Sequence, residues 1–251
     1  MMAAETLKGK RILVTGASGG IGQAIARALA ADGARLGLQY GGNAPTARKL
    51  AAELGARHGI DVCLFKADLT RAAECRQLAR AFVKEFRGCD ALINNAGGAC
   101  GAQQLVKLRL RDWERTLTLN ATAPFLLAQG LLPALRKSRG RIINISSIAA
   151  KYGGGADTAH YACAKAALEC LTKALAKAGA ADGVTAVTLR LGVFDTPFAR
   201  RIGRTAAQQR RRVAAIPLRR MGEPEEAAAM VRQLLLTGYM TGSVVELTGG
   251  D

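Results

Sequence analysis

Strand-length apolar runs alternate with longer segments of helical period from one end of this chain to the other, and that rhythm constrains the fold more than any other feature. Candidate strands fall at 11–16, 35–40, 61–67, 91–94, 141–146, 185–191 and 243–248, and candidate helices near 20–31, 45–57, 71–86, 111–137, 159–178 and 224–236. Parallel neighbours need a crossover long enough to hold a helix, so the alternation predicts βαβ units and an α/β sandwich of helices on both faces of a parallel sheet. A chain of 251 residues has room for one such domain or two small ones. The rhythm has no break, which predicts a single domain over 1–251. The only segment outside it is 195–221, longer than a usual connection and placed where open sheets carry lids and binding loops.

The stretch VTGASGGIGQAIA (14–26) joins the first strand to the first helix. Bare backbone at such a joint lets an anion reach the unpaired N–H groups and partial positive charge of a helix N-terminus. Gly16 suits a tight turn, while Gly20 and Gly22 let a pyrophosphate and the neighbouring strand approach without Cβ atoms in the way. Gly33 sits where a helix closes on a left-handed residue. The loop reads as a dinucleotide cradle. An acid at the end of the second strand would hydrogen-bond a ribose 2′-hydroxyl, but LQYGGN (38–43) has none. The expectation is therefore NADP(H) in preference to NAD(H), with Asn43 and Arg48 as candidate contacts to the 2′-phosphate.

Tyr161 and Lys165 stand four apart in a helical stretch and so share one face about a turn apart. An ammonium beside a phenol favours the phenolate, which makes the pair a candidate general acid/base. Ser146 and Ser147 end the strand before that helix, where a hydroxyl could hold a substrate carbonyl. NNAGG (94–98) ends another strand, and Asn120 lies inside a helical run that asparagine does not favour.

With these residues assembled, the chain resembles the short-chain dehydrogenase/reductase family over nearly its whole length, and the 3-oxoacyl-(acyl-carrier-protein) reductases within it. The matching pieces are TGASGGIG (15–22), Asp68, NNAG (94–97), Asn120, Ser147, YACAK (161–165), Thr196 and TGSVVELTGG (241–250). The resemblance implies a Rossmann-like domain with a seven-stranded parallel sheet. It makes Tyr161 the general acid/base, Lys165 the partner of the nicotinamide ribose and of the phenol, Ser147 the group polarising the carbonyl, and Asn120 the holder of a relay water. It also implies cofactor contacts from Gly16, Ser18, Gly20, Ile21, Gly22, Asp68, Leu69, Asn94, Ala96, Gly97 and Thr196, besides Tyr161 and Lys165, and assembly as a homotetramer. Three departures stand out, one being Gly19 where many NADP-using relatives carry a basic residue. Leu191-Gly192 replaces the family's usual Pro-Gly, and the interval from Ser147 to Tyr161 is one residue longer than the commonest spacing. His160 reads as a helix-start or pocket-wall residue.

Thirty-six basic against nineteen acidic residues give a net charge of +17, which would attract polyanions. No zinc-finger spacing or aromatic-studded basic strand accompanies it, so nucleic acid is not the expected partner. Eight arginines and no acid lie between 200 and 220, which suits a substrate on an anionic carrier, acyl carrier protein or coenzyme A. A sugar, polyol or small-alcohol dehydrogenase is the alternative enzyme. The non-enzyme alternative is an inactive reductase fold used for nucleotide sensing or nucleic-acid binding. No apolar run reaches membrane-spanning length, the N-terminus lacks the order of a signal peptide, and the six cysteines show no metal spacing. A cytoplasmic, metal-free protein with small buried cysteines is expected.

Overall fold

The computed structural model describes residues 6–251; residues 1–5, part of the N-terminal stretch in which no signal peptide is read, lie outside the described residues. Seven strands form one sheet: β1 (Arg11–Val14), β2 (Arg35–Tyr40), β3 (Val62–Lys66), β4 (Ala91–Asn94), β5 (Arg141–Ser147), β6 (Thr185–Leu191) and β7 (Val244–Leu247), in the order 3-2-1-4-5-6-7. Every pairing is parallel. Chain direction across the sheet reverses between β1 and β4, and in such sheets the crevice at the carboxyl ends of those two strands receives the ligand.

Both faces are covered, which is why the strands read as nearly continuous apolar runs. On one face α1 (Gly20–Ala31), α2 (Ala44–His58) and α10 (Pro224–Leu236) bury Ile25, Leu29, Leu54 and Val231 against Ile12, Val14, Leu38 and Leu189. On the other, α3 (Ala72–Phe86), α5 (Ala123–Ser138) and α7 (Ala159–Gly179) bury Phe82, Leu127, Leu131 and Leu175 against Leu13, Leu92 and Ile142. Adjacent residues of β1 thus serve opposite cores, the period of two that a pleated strand imposes. No helix among the described residues is long and apolar enough to cross a membrane.

Three readings change. The helix expected over 111–137 is two helices, α4 (Leu110–Leu117) and α5, joined by a wide π-turn over Thr118–Thr122. Within that turn Asn120 is buried and donates to the carbonyls of Thr116 (2.8 Å) and Gly98 (2.8 Å). The 195–221 segment holds two short helices, α8 (Phe198–Arg201) and α9 (Ala206–Ala214), the second started by a reciprocal cap between Thr205 and Gln208. Of the cysteines only Cys75 and Cys89 are buried; Cys163 and Cys170, seven apart on α7, are exposed on its outward face. Between Ser147 and Tyr161 the chain winds through α6 (Ala149–Tyr152) and a turn in which Gly153 and Gly154 take left-handed φ.

Candidate active site

A cleft of about 1250 Å³ opens at the carboxyl ends of the central strands. Its floor begins at the β1–α1 joint. Gly16 adopts φ of +63°, and a Cβ on Gly22 would lie 2.3 Å from the Gly16 carbonyl oxygen, so the turn closes only on bare backbone. Gly19 caps α1 with no side-chain hydrogen bond, and the first turn carries no acid. Free N–H groups and the positive helix end therefore face the cleft, beside Ser18, Gly20 and Ile21. That donor set, with no carboxylate against it, fits a pyrophosphate. Gln39, which sequence reasoning missed, braces the loop: its side chain accepts from Gly16 N (2.8 Å) and donates to Ala67 O (2.8 Å). A lone buried amide on a strand has no spacing signature that would reveal it.

Asp68 and Leu69 line the cleft after β3. Hydrogen bonds from the Thr70 hydroxyl (2.7 Å) and N–H (2.9 Å) hold the Asp68 carboxyl below its usual range. After β4, Ala96 and Gly97 line the cleft, and Asn94 does not. Asn94 turns into the sheet, where it donates to Asn144 Oδ1 (2.8 Å), because successive strand residues point to opposite faces. Asn95 takes the loop position instead, donating to the Thr15 carbonyl at 2.8 Å. Asn43 lines the cleft and also caps α2. Arg48 is exposed and is not among the lining residues; Lys66, the register partner of Tyr40 on β3, does line the cleft. Thr196 faces the glycine loop, its Cγ2 3.2 Å from where a Cβ on Gly20 would sit.

Tyr161, Lys165 and Ser147 converge on the same wall. The Tyr161 ring lies 5.3 Å from that of Phe198 in α8 and 5.6 Å from Lys165 Nζ, and Ser147 stands near enough to its hydroxyl to pull the phenol down. Burial pushes the phenol up to about 12, against a smaller downward pull from Ser147, and pushes the Lys165 ammonium down to about 8. The expectation that Lys165 depresses the phenol is thus not met in the chain alone, where removal from water decides its direction. Lys165 Nζ donates to the Ile145 carbonyl (2.8 Å). Asn120 lies behind the wall, joined to Gly98 through both its amide groups. A Cβ on Gly97 would stand 2.7 Å from Asn120 Oδ1 and 3.0 Å from Lys165 Nζ, so these two polar atoms flank one small space. His160 is buried at the start of α7 with Nε2 2.9 Å from the Cys100 carbonyl, away from the cleft. Leu191, in place of the proline, keeps an N–H and continues the ladder: its carbonyl accepts from Ile148 N (2.7 Å), and Gly192 N donates to Leu247 O (3.0 Å).

A sequence model of the short chain dehydrogenase family matches residues 10–207. The chain belongs to that family. Over 247 residues it is 37% identical to nodulation protein G of Rhizobium sp. (strain N33), with 97% of each chain covered. It is 36% identical over 252 residues to the rhamnolipids biosynthesis 3-oxoacyl-(acyl-carrier-protein) reductase of Pseudomonas aeruginosa, covering 98% of this chain and 97% of the other. Among solved structures it is similar to a blue fluorescent protein from a metagenomic library in complex with NADPH, at TM-score 0.91 and 35% identity over 98% and 99% of the two chains. It is also similar to an NADH-dependent reductase responsible for alginate metabolism, at TM-score 0.88 and 33% identity over 97% of each. This short-chain dehydrogenase is an NAD(P)-dependent oxidoreductase with the Rossmann-like fold of its family. A nicotinamide, when bound, supplies hydride exchange with a carbonyl or alcohol carbon.

Proposed function

We propose that the enzyme reduces the ketone of a 3-oxoacyl thioester, carried on acyl carrier protein or coenzyme A, to the secondary alcohol with NADPH in the cytoplasm. The observation that carries this reading is the meeting of Tyr161, Ser147 and Lys165 on one wall of the cleft that also holds the glycine loop. Tyr161 gives its proton to the carbonyl oxygen, and a phenol held near 12 is the protonated donor that a reduction needs. Ser147 donates to the same oxygen as negative charge builds there. Lys165 and Asn120, flanking the space beside Gly97, pass a replacement proton through a bridging water. Phe198, packed on Tyr161, keeps bulk water off the donor.

The coenzyme preference rests on the adenosine end, where no carboxylate stands beside Gly41, Gly42 and Asn43, and Lys66 supplies the positive charge for a 2′-phosphate. The carrier rests on the arginines of 195–221: this segment closes over the substrate as a lid, with Arg201, Arg204 and Arg212 on the cleft. Relatives that are 3-oxoacyl-carrier reductases support the same substrate class. A homotetramer is proposed through α4, α5, α7 and β7, on which Leu110 and Phe125 lie exposed. The likeness to the NADH-dependent reductase of alginate metabolism favours, as a second reading, a sugar-derived carbonyl.

Oxidation rates of NADPH and NADH, measured over a panel of carrier-linked ketones, free ketones and sugar carbonyls, decide between the two. Tyr161→Phe is expected to lower kcat about 10²- to 10⁴-fold, the usual contribution of a placed proton donor, without loss of fold. Full activity in that variant would refute the mechanism.

A further inference from the structure

We infer that Glu169 and Arg190 are positioning residues that hold Ser147 and Lys165 in register, as the inner links of an ion-pair chain crossing the carboxyl end of the sheet. The inference rests on Tyr161, Ser147 and Lys165 being the reacting set proposed above.

Glu169 lies one turn beyond Lys165 on α7, and its side chain is only 11% exposed. One oxygen accepts from Ser146 Oγ at 2.7 Å and from Arg190 Nε at 2.9 Å; the other accepts from Arg190 at 2.5 Å. The same guanidinium, 15% exposed, pairs with Glu246 on β7, and Glu246 takes Lys151 Nζ of α6 at 3.3 Å. Ser146 and Arg190 are register partners on β5 and β6, and Arg190 and Glu246 on β6 and β7. The chain thus runs from α7 across three strands and ties down α6, the element that directly follows Ser147.

What makes this more than a structural ion pair is where β5 meets it. Three consecutive residues face α7: the Ile145 carbonyl accepts from Lys165, the Ser146 hydroxyl donates to Glu169, and Ser147 stands beside the Tyr161 hydroxyl. Slippage of Ser146 would therefore misplace the groups on either side of it. An arginine serves here because its planar fork can bind two carboxylates in fixed directions. The network also stands next to Leu191-Gly192, where a proline ring would otherwise restrict the backbone.

Charge supplies a signature that packing alone cannot give. Lys165 is faced from its own helix by Tyr161 and Glu169, from β5 by the Ile145 carbonyl and two neutral serines, and from the 97–98 loop and π-turn by neutral groups; Arg190, with Glu246 and Lys151 behind it, comes from β6, β7 and α6. Glu169 is the charge that holds the Lys165 ammonium up against its burial. Removing Glu169 must lower the Lys165 midpoint, and removing Arg190, which frees the Glu169 carboxylate, must raise it.

The experiment is a ¹³C NMR titration of lysine Cε in the free protein, with the Lys165 resonance assigned by its loss in Lys165→Met. Glu169→Gln is expected to move the midpoint down, and Arg190→Gln up, each by about one pH unit, the scale of one unit charge at short range in a partly screened site. In turnover, the alkaline limb of kcat moves the same two ways. Should either variant fail to fold, Glu246→Gln, at a half-exposed position, is expected to lower the midpoint by a smaller step. Midpoints that coincide with the wild type, or that move in one direction for both inner links, overturn the inference. Because the titration needs no turnover, it stands apart from Tyr161→Phe, whose failure would instead undo the proposed reaction.

Discussion

Lys165 meets two demands that pull against each other. It is buried, which brings its ammonium down to about 8, yet its positive charge is wanted beside a phenol that burial takes up to about 12. The protein leaves this tension in place and manages it with one direct bond, to the Ile145 carbonyl, and with the charge of Glu169; Asn120 Oδ1 stands across the gap beside Gly97. That gap makes position 97 the sharpest residue-scale probe. A Cβ there would intrude to 2.7 Å on Asn120 Oδ1 and 3.0 Å on Lys165 Nζ. Both atoms are held by hydrogen bonds and neither can retreat without breaking one. Gly97→Ala is expected to cost about 1–3 kcal/mol of stability, the range for forcing a methyl into a packed site. It is also expected to lower kcat at least tenfold, a loss that compensating stabilisers elsewhere would not restore. Thermal unfolding beside steady-state kinetics checks both halves; kcat within twofold of wild type would show that the gap is not part of the proton route.

At the scale of elements, the π-turn over Thr118–Thr122 does what a regular helix could not. α5 must keep Leu127, Leu131 and Leu135 in the core, while Asn120 must face the 97–98 loop. In continuous α-helix those faces conflict, and one extra residue in the turn resolves them. Deleting Ala121 is expected to restore α-geometry, swing Asn120 by roughly 100° as one residue does in 3.6-fold winding, and abolish turnover while the far-ultraviolet dichroism stays helical. Retained activity in the deletion would deny Asn120 its place. The same turn shows where the sequence is silent. The apolar period runs through 111–137, so it predicts one helix; Asn120 is the single residue that marks the wider winding, and one asparagine does not give its geometry. All seven strands are legible since each is a bounded apolar run, whereas α8 and α9 are not, being arginine-rich and short of apolar positions. Asn94 and Asn95 differ only in which way a strand end points, and no residue type records that.

For the molecule as a whole, the net charge of +17 separates two kinds of partner. Some of the arginines are paired within the fold: Arg190 with Glu169 and Glu246, Arg212 with Asp251, Arg220 with Glu226 and Arg232 with Asp32. On the cleft side of 195–221, Arg204 is half-buried, and burial, with the nearby Arg212, lowers its pKa. A cation desolvated beside another cation is stabilised when an anion arrives, so this rim should attract a phosphate-bearing or acidic carrier and do nothing for a small neutral ketone. Surface fields of this kind are screened within about 10 Å at 0.1 M salt. Raising salt from about 50 mM to about 500 mM is therefore expected to lower kcat/KM several-fold for a carrier-linked 3-oxoacyl substrate, mainly through KM, and to leave a free short ketone unchanged. Arg204→Gln should remove much of that salt dependence for the carrier substrate alone, because it deletes a half-buried cation on the cleft. If both substrates respond equally to salt, or neither does, the charge of the rim is unrelated to substrate choice, and the carbonyl must be recognised by the shape of the cleft alone.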